Sequence, residues 1–142
     1  RRTQPIVRYR LDDILVRREQ PCPCGLATMA LDRIEGRCDD QLLLPARQGT
    51  MQRVFADLCR RVIANALPEV ADYRLTQQGD SELHLKADCS PEALANCQRQ
   101  LIALFEQQGI ATEQLTWRLQ AQAIMPQFDA KRRRIVRMPE AG

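Results

Sequence analysis

The order of patterned segments predicts an α+β fold: a small βαββαβ domain, with two helices on one face of an antiparallel sheet, preceded by an irregular hinge and hairpin segment. Three observations carry this expectation. Apolar residues recur at three- and four-residue spacing in two stretches, they alternate with polar residues in several others, and Pro and Gly interrupt the chain repeatedly up to residue 45.

Up to residue 45 the extended pieces are short, broken by Pro21, Pro23, Gly25 and Gly36. Residues 5–9 and 14–17 read as strands, Pro21-Cys22-Pro23-Cys24-Gly25 as a tight loop, and residues 41–44 as a strand ending at Pro45. A helix is expected from Thr50, because Val54, Phe55, Leu58, Cys59, Val62, Ile63 and Ala66 share one face; Thr50 serves as N-cap and Pro68 ends it. Residues 73–77 and 82–87 form a hairpin through Gln78-Gly79-Asp80-Ser81, where Leu83, Leu85 and Ala87 alternate with His84 and Lys86 and leave one face wet. Ser90-Pro91 opens a second helix that carries Leu94, Cys97, Leu101, Leu104 and Phe105 on one face and stops at Gly109. Leu115, Trp117 and Leu119 alternate in a last strand. This order is ferredoxin-like, a fold shared by ligand sensors, metal carriers, RNA readers and enzyme lids, so function has to be read from other residues.

The 142 residues suffice for one domain with a proper core. The chain opens on Arg1-Arg2-Thr3 without a methionine, directly upstream of a strand-like segment, and so reads as a piece of a longer protein. A formal charge of +3, from 21 basic and 18 acidic residues, singles out no partner. No run approaches the roughly 18 apolar residues of a membrane span, and no signal-peptide pattern is present, so no membrane partner and a cytoplasmic location are expected. Aromatic residues make up 4% and do not cluster on a strand, which argues against base stacking and against nucleic acid as a partner. Six cysteines would permit three disulfides, but Cys59 and Cys97 fall on apolar helix faces, where a free thiol acts as a small hydrophobe. Reduced thiols are expected.

Three motifs remain. Tyr9-Arg10-Leu11-Asp12-Asp13 and Gly36-Arg37-Cys38-Asp39-Asp40 stand near the start, the second preceded by Pro21-Cys22-Pro23-Cys24-Gly25; Pro126-Gln127-Phe128-Asp129-Ala130-Lys131 runs into Arg132-Arg133-Arg134-Ile135-Val136 near the end. Read as isolated segments they are an acidic turn, a Gly-Arg turn and a solvated basic tail. In this order they resemble the ribose motif, the hinge and the lysine loop of the carboxyl-terminal domain in phenylacetate-CoA ligase-like members of the adenylate-forming enzymes. The chain departs from that pattern at Leu11-Asp12, where Thr-Gly is usual, and at Ala130, where Gly is usual.

The resemblance implies that residues 1–38 close a large adenylating domain and lead to the hinge, and that 39–142 are its lid. It implies a two-step reaction. A carboxylic acid, which an aryl acid would satisfy, reacts with ATP and Mg²⁺ to give an acyl-adenylate; the thiol of CoA then displaces AMP. By the same resemblance Asp13 and Arg37 contact the nucleotide ribose, Asp39 is the hinge, and Lys131 is the catalytic cation for the first step. The partner is the protein's own amino-terminal adenylating domain, without which the fragment is inactive. Cys22 and Cys24 could aim two thiolates at a zinc ion, although structural zinc takes four ligands. His84, the single histidine, is expected to face solvent. Two alternatives stay open: a free-standing ferredoxin-like regulatory or interaction module, and an adenylating enzyme with a non-CoA acceptor.

Overall fold

In the computed structural model the described residues are 13–26, 28–37, 41–69, 72–125 and 134–138, with backbone only for 35–37. The strand expected at 5–9, Asp39 and Lys131 lie outside them. The chain divides into two units, Arg1–Asp39 and Asp40–Gly142.

In the first unit, β1 (Asp13–Arg17) pairs antiparallel with β2 (Leu31–Arg37). The charges and glycine of Leu31-Asp32-Arg33-Ile34-Glu35-Gly36-Arg37 hide β2 from a reading by alternation; its ladder with β1 is what holds it extended. The register is Asp13 opposite Arg37, Ile14 opposite Gly36 and Leu15 opposite Ile34, so an irregularity falls between Ile14 and Leu15. Arg18 closes the connecting loop at its base, donating from its backbone N–H to the Ala30 carbonyl at 2.9 Å and from Nε to Asp32 at 3.0 Å. That ion pair is exposed and contributes at most about 1 kcal/mol.

The second unit opens with β3 (Gln41–Pro45) and β4 (Met51–Phe55), an antiparallel hairpin with partners from Gln41–Phe55 to Pro45–Met51. Residues 46–50 make the turn. The Ala46 N–H donates to the Thr50 carbonyl at 2.8 Å, and Gly49 takes φ +78°, a value a side chain would strain. Helix α1 (Ala56–Ala66) therefore starts after Phe55 rather than at Thr50. Val54 and Phe55 fit both periods, and the turn decides between them: a short helix gains little from one more turn, whereas residues 51–55 gain a ladder.

The hairpin of β5 (Tyr73–Gln78) and β6 (Glu82–Ala87) forms as expected. Helix α2 (Pro91–Gln107) follows, its Ser90 Oγ accepting from the Ala93 N–H at 3.2 Å; Gly109, at φ +80°, ends it. β7 (Thr116–Ala121) and β8 (Ile135–Met138) complete a sheet ordered β7-β6-β5-β8. Only the central pair is antiparallel, since β7 runs parallel to β6 and β8 parallel to β5. The domain is α+β with two helices, but its sheet is mixed rather than antiparallel throughout, and β3 pairs in its own hairpin instead of entering it. The 17-residue α2 is long enough to return the chain beside β6 in the same direction. β8 begins with the β-branched pair Ile135-Val136, which suits an edge strand.

One face of this sheet is the core. Leu75 lies between Leu85 and Ile135, and Leu83 lies between Gln77 and Trp117. Onto these pack Cys59 and Ile63 of α1 and Leu94, Cys97, Leu101 and Phe105 of α2. Phe105 stacks on Trp117 with centroids 6.1 Å apart. Leu119, which alternates with Trp117 along β7, is 37% exposed at the sheet edge. The start of β8 is fastened separately: the Arg134 carbonyl accepts from the Leu75 N–H at 2.8 Å, and its guanidinium pairs with Asp72 at 3.2 Å and sits 5.3 Å from the centre of the Tyr73 ring.

Gln77 is fully buried and polar. Its Oε1 accepts from the Leu43 N–H at 2.8 Å, and its Nε2 donates to the carbonyls of Leu43, Gly79 and Asp80 at 2.6, 2.9 and 3.2 Å. One side chain thus gives the edge of β3 the partners a neighbouring strand would give, and ties that hairpin to the sheet. Gln77→Leu leaves the Leu43 N–H and C=O unpaired, at about 1–3 kcal/mol each if they stay dry. Urea unfolding should show a loss of about 2–4 kcal/mol; a midpoint equal to the parent's would refute the tie. Among the described residues, no helix is long and apolar enough to cross a membrane.

Candidate functional site

The β1/β2 ladder brings Asp13 and Arg37 onto one rung as Cα partners, although most of the first unit separates them in sequence. Asp13 is half-buried at the first position of β1, and the register irregularity follows one residue later. Irregularities of this kind re-aim side chains beside functional positions. An ionised carboxylate there offers two acceptor oxygens, which suits a vicinal diol.

The loop between β1 and β2 carries the two cysteines. The Gly25 N–H donates to the Cys22 carbonyl at 3.0 Å, Gly25 takes φ +78°, and the Cys24 and Cys22 sulfurs are 2.9 Å apart. Cys24 is exposed and Cys22 half-buried. The hydrogen bond with Cys22, followed by one from the backbone at Leu26, holds the Cys24 thiol below its ordinary pKa. Beside them is a cavity of about 220 Å³ whose lining includes Arg17, Arg18 and Cys22. As a zinc site the pair is incomplete: among the described residues no three His, Cys, Asp or Glu side chains gather around a common point.

The second unit has a polar cluster on the wet face of its sheet. His84 Nε2 is 2.9 Å from Glu82 Oε1, and Arg118 Nε is 2.5 Å from the same oxygen. Glu82 and His84 are two apart on β6 and so share a face; Arg118 joins them because the parallel register sets it opposite His84. The His84 hydrogen bond, opposed by some desolvation and assisted by Arg118, lowers the Glu82 pKa. A carboxylate engaged by two partners is better suited to holding strands together than to taking a proton from a substrate. His84 lies on the solvent-facing side of the sheet as expected, half-buried there by its pairing with Glu82. The alternation on β6 already signals the Glu82–His84 contact, but the third member follows only from the β6/β7 register. An open cavity of about 410 Å³ lies where α1 ends and α2 begins, lined by residues that include Leu67, Pro68, Cys89 and Ala93. Burial, then Asp88, raises the Cys89 pKa.

Cys59 and Cys97 are fully buried as expected. Burial pushes the Cys59 thiol from 9.0 up to about 12 and Cys97 up to about 11. A group whose pKa is raised by folding stabilises the protein fully below its unfolded value and loses that contribution as pH rises through the folded one. Stability should therefore fall as pH climbs from about 9 towards 12. The urea midpoint measured across that range should fall less steeply in Cys59→Ala; equal slopes in both proteins would contradict this account.

No protein-family model matches the chain, and no curated protein matches it.

Proposed function

We propose that the chain is the carboxyl-terminal portion of an ATP-dependent carboxylate–CoA ligase: the ribose grip, hinge and lid of an adenylate-forming enzyme. The observation that supports this most is the rung shared by Asp13 and Arg37. Two residues identified separately, from two motifs, for contact with one ribose are opposed on a single hairpin.

In this mechanism the Asp13 carboxylate accepts hydrogen bonds from the ribose hydroxyls of ATP, and Arg37 contacts the same sugar. The carboxylate of the acid substrate attacks the α-phosphorus and pyrophosphate leaves, with Mg²⁺ balancing the phosphate charge. Lys131 bridges the substrate carboxylate and the α-phosphate as charge shifts between them. Rotation about Asp39 then withdraws the lysine and admits the thiol of CoA, which displaces AMP and leaves a thioester. The acid pocket and the phosphate loop belong to the amino-terminal adenylating domain.

The test is Asp13→Ala in the intact enzyme. Losing charge-assisted hydrogen bonds worth about 1.5–3 kcal/mol should raise the KM for ATP by roughly tenfold or more, with the KM for the acid unchanged. An unchanged KM for ATP would overturn the assignment.

A further inference from the structure

We infer that Cys22 and Cys24 form a dithiol–disulfide redox pair that exchanges with carboxylated low-molecular-weight disulfides of the oxidised glutathione type. This goes beyond the ligase reading and does not depend on it. Four observations meet at one loop. The two sulfurs already touch at 2.9 Å, so closing to bond length needs a movement of about 1 Å. The Gly25–Cys22 turn and the fixed φ of Pro23 keep them together. Their accessibility is graded, with Cys24 outside to attack and Cys22 further in to resolve. Arg17 and Arg18 line the cavity next to Cys22, Arg18 while paired to Asp32; Glu19 lines it too, so the two guanidinium groups, which recognise carboxylates, outnumber the one acidic group in the lining.

The chemistry balances in two exchanges. The Cys24 thiolate attacks one sulfur of the small disulfide; that S–S bond breaks, a mixed disulfide forms, and the first small thiolate leaves and takes up a proton. Cys22 then loses its proton to solvent and attacks the Cys24 sulfur, expelling the second small thiol. The protein gives up two electrons and two protons, and the small disulfide becomes two thiols. The hydrogen bond from Cys22, which lowers the Cys24 pKa, favours Cys24 over Cys22 as the attacking thiolate. The ring closed across a single proline is small and exposed, a type that reduces readily, so the step is reversible.

The test uses residues 1–142, reduced, incubated near neutral pH with oxidised glutathione, then alkylated and mapped by peptide mass. The Cys22–Cys24 peptide should lose two hydrogens. Cys22→Ser should trap glutathione on Cys24 about tenfold faster than on Cys89, which is partly buried with a raised pKa. Replacing both Arg17 and Arg18 by Ala should slow exchange with oxidised glutathione several-fold and leave exchange with uncharged hydroxyethyl disulfide unchanged. No Cys22–Cys24 link, or a Cys24 adduct formed no faster than one at Cys89, overturns the redox pair. Equal slowing towards both disulfides overturns the assignment of carboxylate recognition to the arginines.

Discussion

Lys131→Ala in the intact protein should, on the proposed reading, lower acyl-adenylate formation by about 10²–10³-fold, while thioester formation from a supplied acyl-adenylate stays within a few-fold of the parent. The asymmetry follows from when charge develops. In the first step, negative charge spreads over the α-phosphate as the carboxylate attacks, and a cation placed there is worth more in the transition state than in the ground state. In the second step charge also develops, on the departing AMP oxygen, but on the proposed reading the lid has by then rotated and the lysine no longer faces it. Pyrophosphate exchange reports the first step, and single-turnover thioester formation reports the second. Equal losses in both would remove Lys131 from the role assigned to it. On the same reading residues 1–142 alone should release no pyrophosphate, because the acid pocket is assigned to the amino-terminal adenylating domain.

The largest effect on stability is expected at Phe105. It is fully buried, stacks on Trp117 and reaches the core shared with α1. Phe105→Ala removes the whole ring where α2 faces β7, and truncations of this kind cost about 3–5 kcal/mol. Set against a typical total of about 5–15 kcal/mol, this is a large share, and Tm should fall by roughly 10–30 °C. Phe105→Leu, which keeps much of the volume, should recover more than half of the loss. A drop of only a degree or two in Phe105→Ala would mean that the helix closes over the gap without strain.

Much of the second unit is legible in its letters. Ser90-Pro91 and Gly109 punctuate α2, and strict alternation marks β6, because both signals are local. The elements that escape such reading depend on distant partners. β4 carries apolar residues at 54 and 55 that fit either period, and only its turn with β3 decides. β2 and β8 gain their extended form from β1 and β5, the latter through a parallel register that no neighbouring residue announces. The candidate site divides in the same way. Asp13 and Arg37 can be singled out by motif, but their shared rung follows only from the hairpin. The Cys-Pro-Cys segment is plain in the sequence, whereas the 2.9 Å between its sulfurs depends on the turn around Gly25.

The fastening of Arg134 sets a limit on Lys131. Its carbonyl is bonded to β5 and its guanidinium is held between Asp72 and the Tyr73 ring, and Lys131 stands three positions earlier in the chain. Three residues at full stretch reach at most roughly 10–11 Å. The Lys131 backbone therefore stays within that radius of Arg134, whose peg is the sheet itself, and the flexible four-carbon stem carries the ammonium somewhat further. On the proposed reading, withdrawing that cation beyond the span of its tether requires the whole domain to move.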